Sequence, residues 1–235
     1  MSDEQAIPAT SQTPGFRMIQ TLWAIAMLSG LLVVLVYQWT KPIIAENQRV
    51  ATEKAVFTVV PGASQRTDFI LGDAGVTAEG DGVGEGETVY AAFDGQGNLK
   101  GIALAAGAQG YQDIVKLLYG YDPACACVRG IKILKMTETP GLGDKIAFDP
   151  AFLKNFVALD ASLNAAGDGL AHPIKAVKHG GKSHAWEVDS ISGATISSVA
   201  VANAINRSMQ RMAPLIQRHL ASMSKPPQSI AGESN

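Results

Sequence analysis

The chain has 235 residues, a length that fits one domain with an appendage and excludes a large multidomain enzyme. Hydrophobic residues make up 47% and charged residues 17%, which supports a buried core, leans toward a chain that touches a membrane and excludes wholesale disorder. With 19 Lys+Arg against 21 Asp+Glu the net charge is −2, so there is no basic field to hold nucleic acid, and Cys125 and Cys127 are too few for a disulfide scaffold and lack zinc spacing.

After a tail at 1–17, Met18 to Val36 runs without a charge, and Gln20, Thr21 and Ser29 are its only polar members. At 1.5 Å per residue such a run crosses about 30 Å of hydrocarbon. Trp23 and the Tyr37-Gln38-Trp39 cluster place aromatic rings toward its two ends, as interfacial belts do. One transmembrane helix is therefore expected over 18–39. A cleaved signal peptide fits less well, because the run is long for such a segment, Asp3 and Glu4 precede it and no clear Ala-x-Ala site follows. Arg17 precedes the span while Lys41, Arg49 and Lys54 follow it, so a literal count of positive charge places the remainder in the cytoplasm, but long domains translocate regardless of charge and the residues alone leave the side open.

A helical stalk is expected over 40–61, from the apolar spacing in Ile43 to Val60 and the stop at Pro61-Gly62. Gly72 to Glu87, rich in glycine and acids, lacks the acid pattern of a calcium loop and reads as a flexible surface loop. Thr88 to Phe93 and Leu99 to Ala106 flank turn residues Asp94 to Asn98, a hairpin. Ile114 to Tyr121 and Cys125 to Met136 read as strands, and Asp149 to Leu159 as a short helix opening on Asp149-Pro150. Ile174 to Lys178 and Ala185 to Val188 frame a glycine turn at Gly180-Gly181. The fold class is α+β, an antiparallel sheet with packed helices after one N-terminal transmembrane helix, with a domain at 62–220 and a disordered tail at 221–235.

The last helix, Ile196 to Leu220, carries a stripe through Val199, Ala202, Ile205, Met209, Met212 and Ile216, and Pro214 is expected to bend it or end its first part. Just before it, Asp189 to Ser198 combines small residues and hydroxyls at a helix start. That arrangement outlines a phosphate site, and it equally suits ordinary capping by Ser192 or Thr195. Thr137 to Ile146 reads as a strand-exit turn, or as a rigid wall for a cofactor pocket. Cysteines two apart in a strand share one face, and bridging them would strain the backbone, so Cys125 and Cys127 are expected to be structural thiols. A c-type haem pattern is absent, and His172, His179, His184 and His219 lack metal-ligand spacing.

Two of these segments resemble a known family. Ser192-Gly193-Ala194-Thr195, with Asp189 upstream and Ser197-Ser198 downstream, resembles the flavinylation motif of the covalent-FMN domain family, in which a flavin transferase links FMN to the threonine hydroxyl through a phosphoester. Glu138 to Ile146 is similar to that family's second signature, in the form found in the G subunit of the Rnf electron transport complex. The resemblance spans about Met18 to Leu220. The C subunit of the sodium-pumping NADH:quinone reductase shares the domain plan, but Asp144-Lys145-Ile146 favours the Rnf form. One departure is that Gly110-Tyr111 is followed by Gln112-Asp113, where members often have a small residue and a glycine.

The resemblance implies an FMN-binding domain over 62–220, with FMN held covalently at Thr195. Asp189, Ser192, Gly193, Ala194, Ser197, Glu138, Thr139, Pro140, Gly141, Leu142, Gly143, Gly110 and Tyr111 would form the binding site, with no catalytic residue and no metal. It further implies an electron carrier within a translocase that couples ferredoxin and NAD oxidation–reduction to ion transport. Partners would be other membrane and peripheral Rnf subunits, a flavin transferase and membrane lipid, not nucleic acid. The location implied is the bacterial inner membrane, single-pass with the bulk periplasmic, against the charge count. Other readings are the C subunit of the quinone reductase or a non-redox membrane-tethered sensor or assembly module. A regulatory flavin domain of the nitrous-oxide reductase expression type would carry extra spans and iron–sulfur cysteines.

Overall fold

The computed structural model describes residues 15–73, 75–78 and 86–224. Most of the 1–17 tail, positions 79–85 of the 72–87 loop and 225–235 of the C-terminal tail lie outside the described residues. The chain divides into two compact units, Met1–Arg49 and Val50–Asn235.

The first unit holds most of helix α1, Gly15–Val59. Apolar side chains from Phe16 to Ile44 stand exposed on every side, and the helix is long and apolar enough to cross a membrane. It continues through Pro42, which removes one backbone donor without ending the helix; Thr40 Oγ1 donates to the Val36 carbonyl at 2.9 Å one turn before it.

In the second unit a seven-stranded antiparallel sheet has the order β2-β1-β3-β4-β5-β6-β7. The strands are β1 Gln65–Gly72, β2 Gly75–Ala78, β3 Glu87–Phe93, β4 Leu99–Gln109, β5 Ile114–Asp122, β6 Cys127–Lys135 and β7 Leu159–Asp160. The hairpin expected around Asp94 forms: one Asp94 carboxylate oxygen, Oδ1, accepts the amides of both Gln96 and Asn98 at 2.9 Å. β1 was not anticipated, because Gln65-Arg66-Thr67-Asp68 is polar on both faces. The region expected to be a flexible loop opens with β2, whose Val76 and Ala78 pair with Leu71 and Phe69. Short glycine-flanked edge strands have too little alternation to read from sequence.

Period-two alternation splits the sheet into two faces. Val89, Ala91, Phe93, Ile102, Leu104, Leu117, Tyr119 and Val128 belong to a core shared with helix α3, Thr195–Met223. Ala92, Ala103 and Leu118 point the other way and pack on Ala55, Val56, Val59 and Val60. There the backbone approaches closely: a Cβ on Gly120 would run into the Val59 carbonyl.

Several expectations are corrected. The short helix α2 covers only Pro150–Lys154, capped by Asp149, whose carboxylate accepts Ala151 N and Phe152 N. The glycine turn at Gly180-Gly181 forms, with Gly181 N donating to the Lys178 carbonyl at 2.8 Å, but the flanking strands β8 Lys175–Val177 and β9 Glu187–Asp189 pair in parallel. The Glu187 carboxylate folds the intervening chain back by accepting Ser183 N, Ser183 Oγ and His184 N. These bonds to the charged form, with Lys175 also beside it, lower its pKa to about 2. Helix α3 does not stop at Pro214, which is itself buried in a helix that runs on to a buried Met223. Burial of that stripe outweighs the lost hydrogen bond.

Cys125 and Cys127 form a disulfide and are not free thiols. Cys125 sits in the β5–β6 turn and not in a strand, and Ala126 takes φ 50°, which turns the two side chains toward each other over a Cα separation of 5.2 Å.

Candidate functional site

Three chain segments converge on a cavity of about 480 Å³, lined by Tyr111, Glu138, Thr139, Leu142, Gly143, Gly193, Ala194, Thr195, Ile196 and Ser197. The first is the β4–β5 turn, closed by Gly110 N donating to the Asp113 carbonyl at 2.9 Å. The second is the exit of β6, which runs into a 3-10 turn at Gly143–Ala147. The third is the start of α3. Volumes of this size suit a small-molecule ligand.

The start of α3 is open. Its N-cap is Ala194, which offers no side-chain hydrogen bond, and Ser192 is exposed. Neither Ser192 nor Thr195 caps the helix, so capping does not account for this cluster. The first intrahelical bond is Ser198 N to Ala194 O at 2.9 Å, which leaves the amides of Thr195, Ile196 and Ser197 ahead of the ladder. Partial positive charge collects at such an end and favours an anion. Thr195, the first helical residue, is exposed at the cavity. Gly193 reaches the turn with φ 82°, a conformation that side chains other than glycine rarely adopt.

Glu138 is the buried charged group of the cavity wall, 6% exposed, beside the buried Ser197. Its Oε1 accepts Tyr111 N at 2.9 Å and Gln112 N at 3.3 Å, and its Oε2 accepts the Ser197 hydroxyl. Gln112 Nε2 adds a bond to Thr139 Oγ1 at 3.3 Å. The apolar walls stand open, with Tyr111 65%, Ile196 54% and Leu142 49% exposed.

Of the residues singled out in the sequence, Tyr111, Glu138, Thr139, Leu142, Gly143, Gly193, Ala194, Thr195 and Ser197 come together here. Gly110, Pro140 and Gly141 shape the loops behind the wall without lining it. Asp189 and Ser192 line a neighbouring cavity of about 210 Å³ with Lys145, Asp149, Phe152 and His179. Asp189 is held by its backbone, which exchanges hydrogen bonds with the Asn155 amide, and its Oδ2 lies 3.7 Å from His179 Nδ1. Two positions were not singled out in the sequence: Ile196, which lines the cavity and read only as the start of the last helix, and Asn155, which holds the Asp189 backbone and for which the sequence held no signal. Among the described residues there is no cluster of potential metal ligands.

Comparison with known proteins gives two family matches: an FMN-binding domain over residues 110–210 and an RnfG N-terminal region over residues 20–59. The G subunit of the ion-translocating oxidoreductase complex of Methanosarcina acetivorans is 31% identical over 195 residues, which is 81% of this chain and 90% of that protein. The protein of the same description from Escherichia coli K12 is 33% identical over 188 residues, 80% of this chain and 85% of its own length. In fold, the chain resembles the crystal structure of Shewanella oneidensis NqrC, with a TM-score of 0.58 at 15% identity over 76% of this chain and 98% of that one.

Proposed function

The chain belongs to the family of G subunits of ion-translocating oxidoreductase complexes, and from that membership we propose that it carries FMN covalently at Thr195 and passes electrons within its complex. It is a component of a translocase with an FMN-binding domain, an electron carrier and not a stand-alone catalyst. The observation that carries the attachment site is the uncapped start of α3 opening on a cavity lined by the exposed Thr195.

The residues present suit a flavin phosphate. Free amides at the helix start favour the phosphate charge, Oγ of Thr195 supplies the ester oxygen, and Tyr111, Leu142 and Ile196 offer apolar and aromatic surface for a ring. Bound FMN supplies the redox chemistry, while the protein orients it and adjusts its electronics. Covalent attachment keeps the carrier loaded through each turnover. A flavin transferase makes the bond, with Oγ losing its proton as the donor's leaving group departs. Other subunits of the complex serve as electron partners, and the coupled redox pair is ferredoxin and NAD. α1 anchors the protein in lipid of the inner membrane, and the bulk of the chain faces the periplasm, where Cys125 and Cys127 find conditions that keep a disulfide.

The test is intact mass with and without a co-expressed flavin transferase. Wild type gains one FMN phosphoester only with the enzyme. Thr195→Val keeps the shape, loses Oγ and stays unlabelled while folded, and Thr195→Ser keeps part of the labelling. Denaturation-resistant flavin on folded Thr195→Val protein overturns the assignment.

A further inference from the structure

Glu138 is unusual among the residues of the cavity. It is charged and buried, and among the described residues it forms no ion pair. A buried carboxylate without a cation is costly unless several donors face it. Here the donors are two backbone amides on one segment and a hydroxyl on another. Tyr111 lies 27 residues before Glu138 and Ser197 lies 59 residues after it, so one side chain ties together segments that the sequence keeps far apart. The two amides can only donate, so Oε1 faces donors alone, and Oε2 is bonded to the Ser197 hydroxyl. The Ser197 end of the tie is in the first turn of α3, where the partial positive charge of the helix start compensates part of the carboxylate.

Two glycines make room for this arrangement. A Cβ on Gly143 would come within 2.8 Å of both Glu138 Oε2 and Ser197 Oγ, and one on Gly110 would meet Glu138 Oε1. Both glycines belong to the flanking turns, so the turns are shaped around the carboxylate. An apolar side chain could fill the same volume without leaving a charge beside the pocket, but it could not hold two amides and a hydroxyl.

We propose that Glu138 is the positioning residue of this site: its carboxylate clips the Tyr111–Gln112 turn to the first turn of α3, which fixes how Thr195 is presented, and it holds a negative charge at the pocket wall that disfavours electron addition to the flavin. This rests on Thr195 being the site of FMN attachment. The carboxylate acts through the segments it holds and through its field, and it forms no bond to the cofactor.

Three measurements on the full-length, detergent-solubilised chain test it. In the unlabelled protein, Glu138→Ala leaves the amides of Tyr111 and Gln112 without their acceptor, and hydrogen-exchange protection there falls by about tenfold or more. Glu138→Gln keeps a carbonyl oxygen for the two amides and an NH₂ that can donate to Ser197 Oγ, so protection returns. The fraction labelled at Thr195 by the transferase follows the same order, low for Ala and recovered for Gln. The midpoint potential of the labelled Glu138→Gln protein lies above that of wild type, because the fixed negative charge is gone while the shape stays, a shift that a purely structural role would not produce. Unchanged exchange in Glu138→Ala overturns the clip, and a Glu138→Gln potential equal to or below wild type overturns the charge role. If wild type accepts no flavin at all, the attachment reading falls, and the exchange measurement still decides the clip.

Discussion

The two long helices put apolar residues to opposite uses. Between Phe16 and Ile44, α1 exposes large apolar side chains around its whole circumference, whereas α3 buries Val201, Ile205, Met209, Met212 and Ile216 along one stripe against the sheet and keeps Arg207, Arg211 and Arg218 out of it. An all-round apolar surface needs lipid as its solvent, while a stripe needs a partner that the protein itself supplies. The difference also separates their ends. The start of α3 is fixed by packing behind it and open in front, which lets its amides face a cavity.

The sharpest way to break this contrast is to charge the middle of α1. Leu31→Arg with Leu32→Arg adds two residues that each cost ~2.5–3.5 kcal/mol at a helix centre in a bilayer. A reporter that works only in the periplasm, fused after Leu220, is active on the wild-type chain and silent on the double variant. Activity confined to a cytoplasm-only reporter on wild type restores the orientation given by counting charges, and full periplasmic activity of the double variant shows that α1 is not the anchor.

Within α3 the comparison can be drawn along a single helix. Ile205 is fully buried, so Ile205→Ala costs about 2–5 kcal/mol and lowers the melting temperature sharply. Ile196 is exposed at the cavity, so Ile196→Ala stays within about 0.5 kcal/mol in thermal unfolding and instead alters the flavin spectrum or its labelling. Equal losses of stability at the two positions would show that Ile196 belongs to the core and not to the site.

The smallest effect separates a pocket loop from a plain turn. Gly141 has φ 77° with open space around it, so Gly141→Val meets backbone strain without a clash, at about 1–3 kcal/mol. The expected outcome is poorer labelling at Thr195 or a shifted flavin potential, because the strained residue lies between Glu138 and Gly143. Gly167, with φ 72° and equally open surroundings, is a matched control whose valine variant loses similar stability and leaves the flavin unchanged. A control at Gly84 also leaves it unchanged, although that position lies outside the described residues. If Gly141→Val and Gly167→Val behave alike in labelling and potential, the loop is a turn and nothing more.

Signals confined to neighbouring residues were legible in the sequence. The apolar run at Met18 to Val36, the hairpin around Asp94, the cap at Asp149 and the stripe of α3 follow from periods and turn chemistry that act over a few residues, while the motif segments at Glu138 and Ser192 stood out only through their family resemblance. What required the tertiary structure was every feature set by partners distant in sequence. β1 forms because β3 pairs with Gln65 to Leu71, although its first four residues carry no pattern of their own. β8 and β9 lie parallel because Glu187 gathers the intervening amides, and Pro214 stays inside α3 because the stripe continues beyond it. The cysteines bridge because the chain turns at Ala126, where an extended strand was expected. The identities of Glu138 and Thr195 were therefore fixed by the sequence, but their relation was not: it depends on hydrogen bonds spanning 27 and 59 residues, and no local preference encodes a contact whose closure is driven by the burial of the sheet between them.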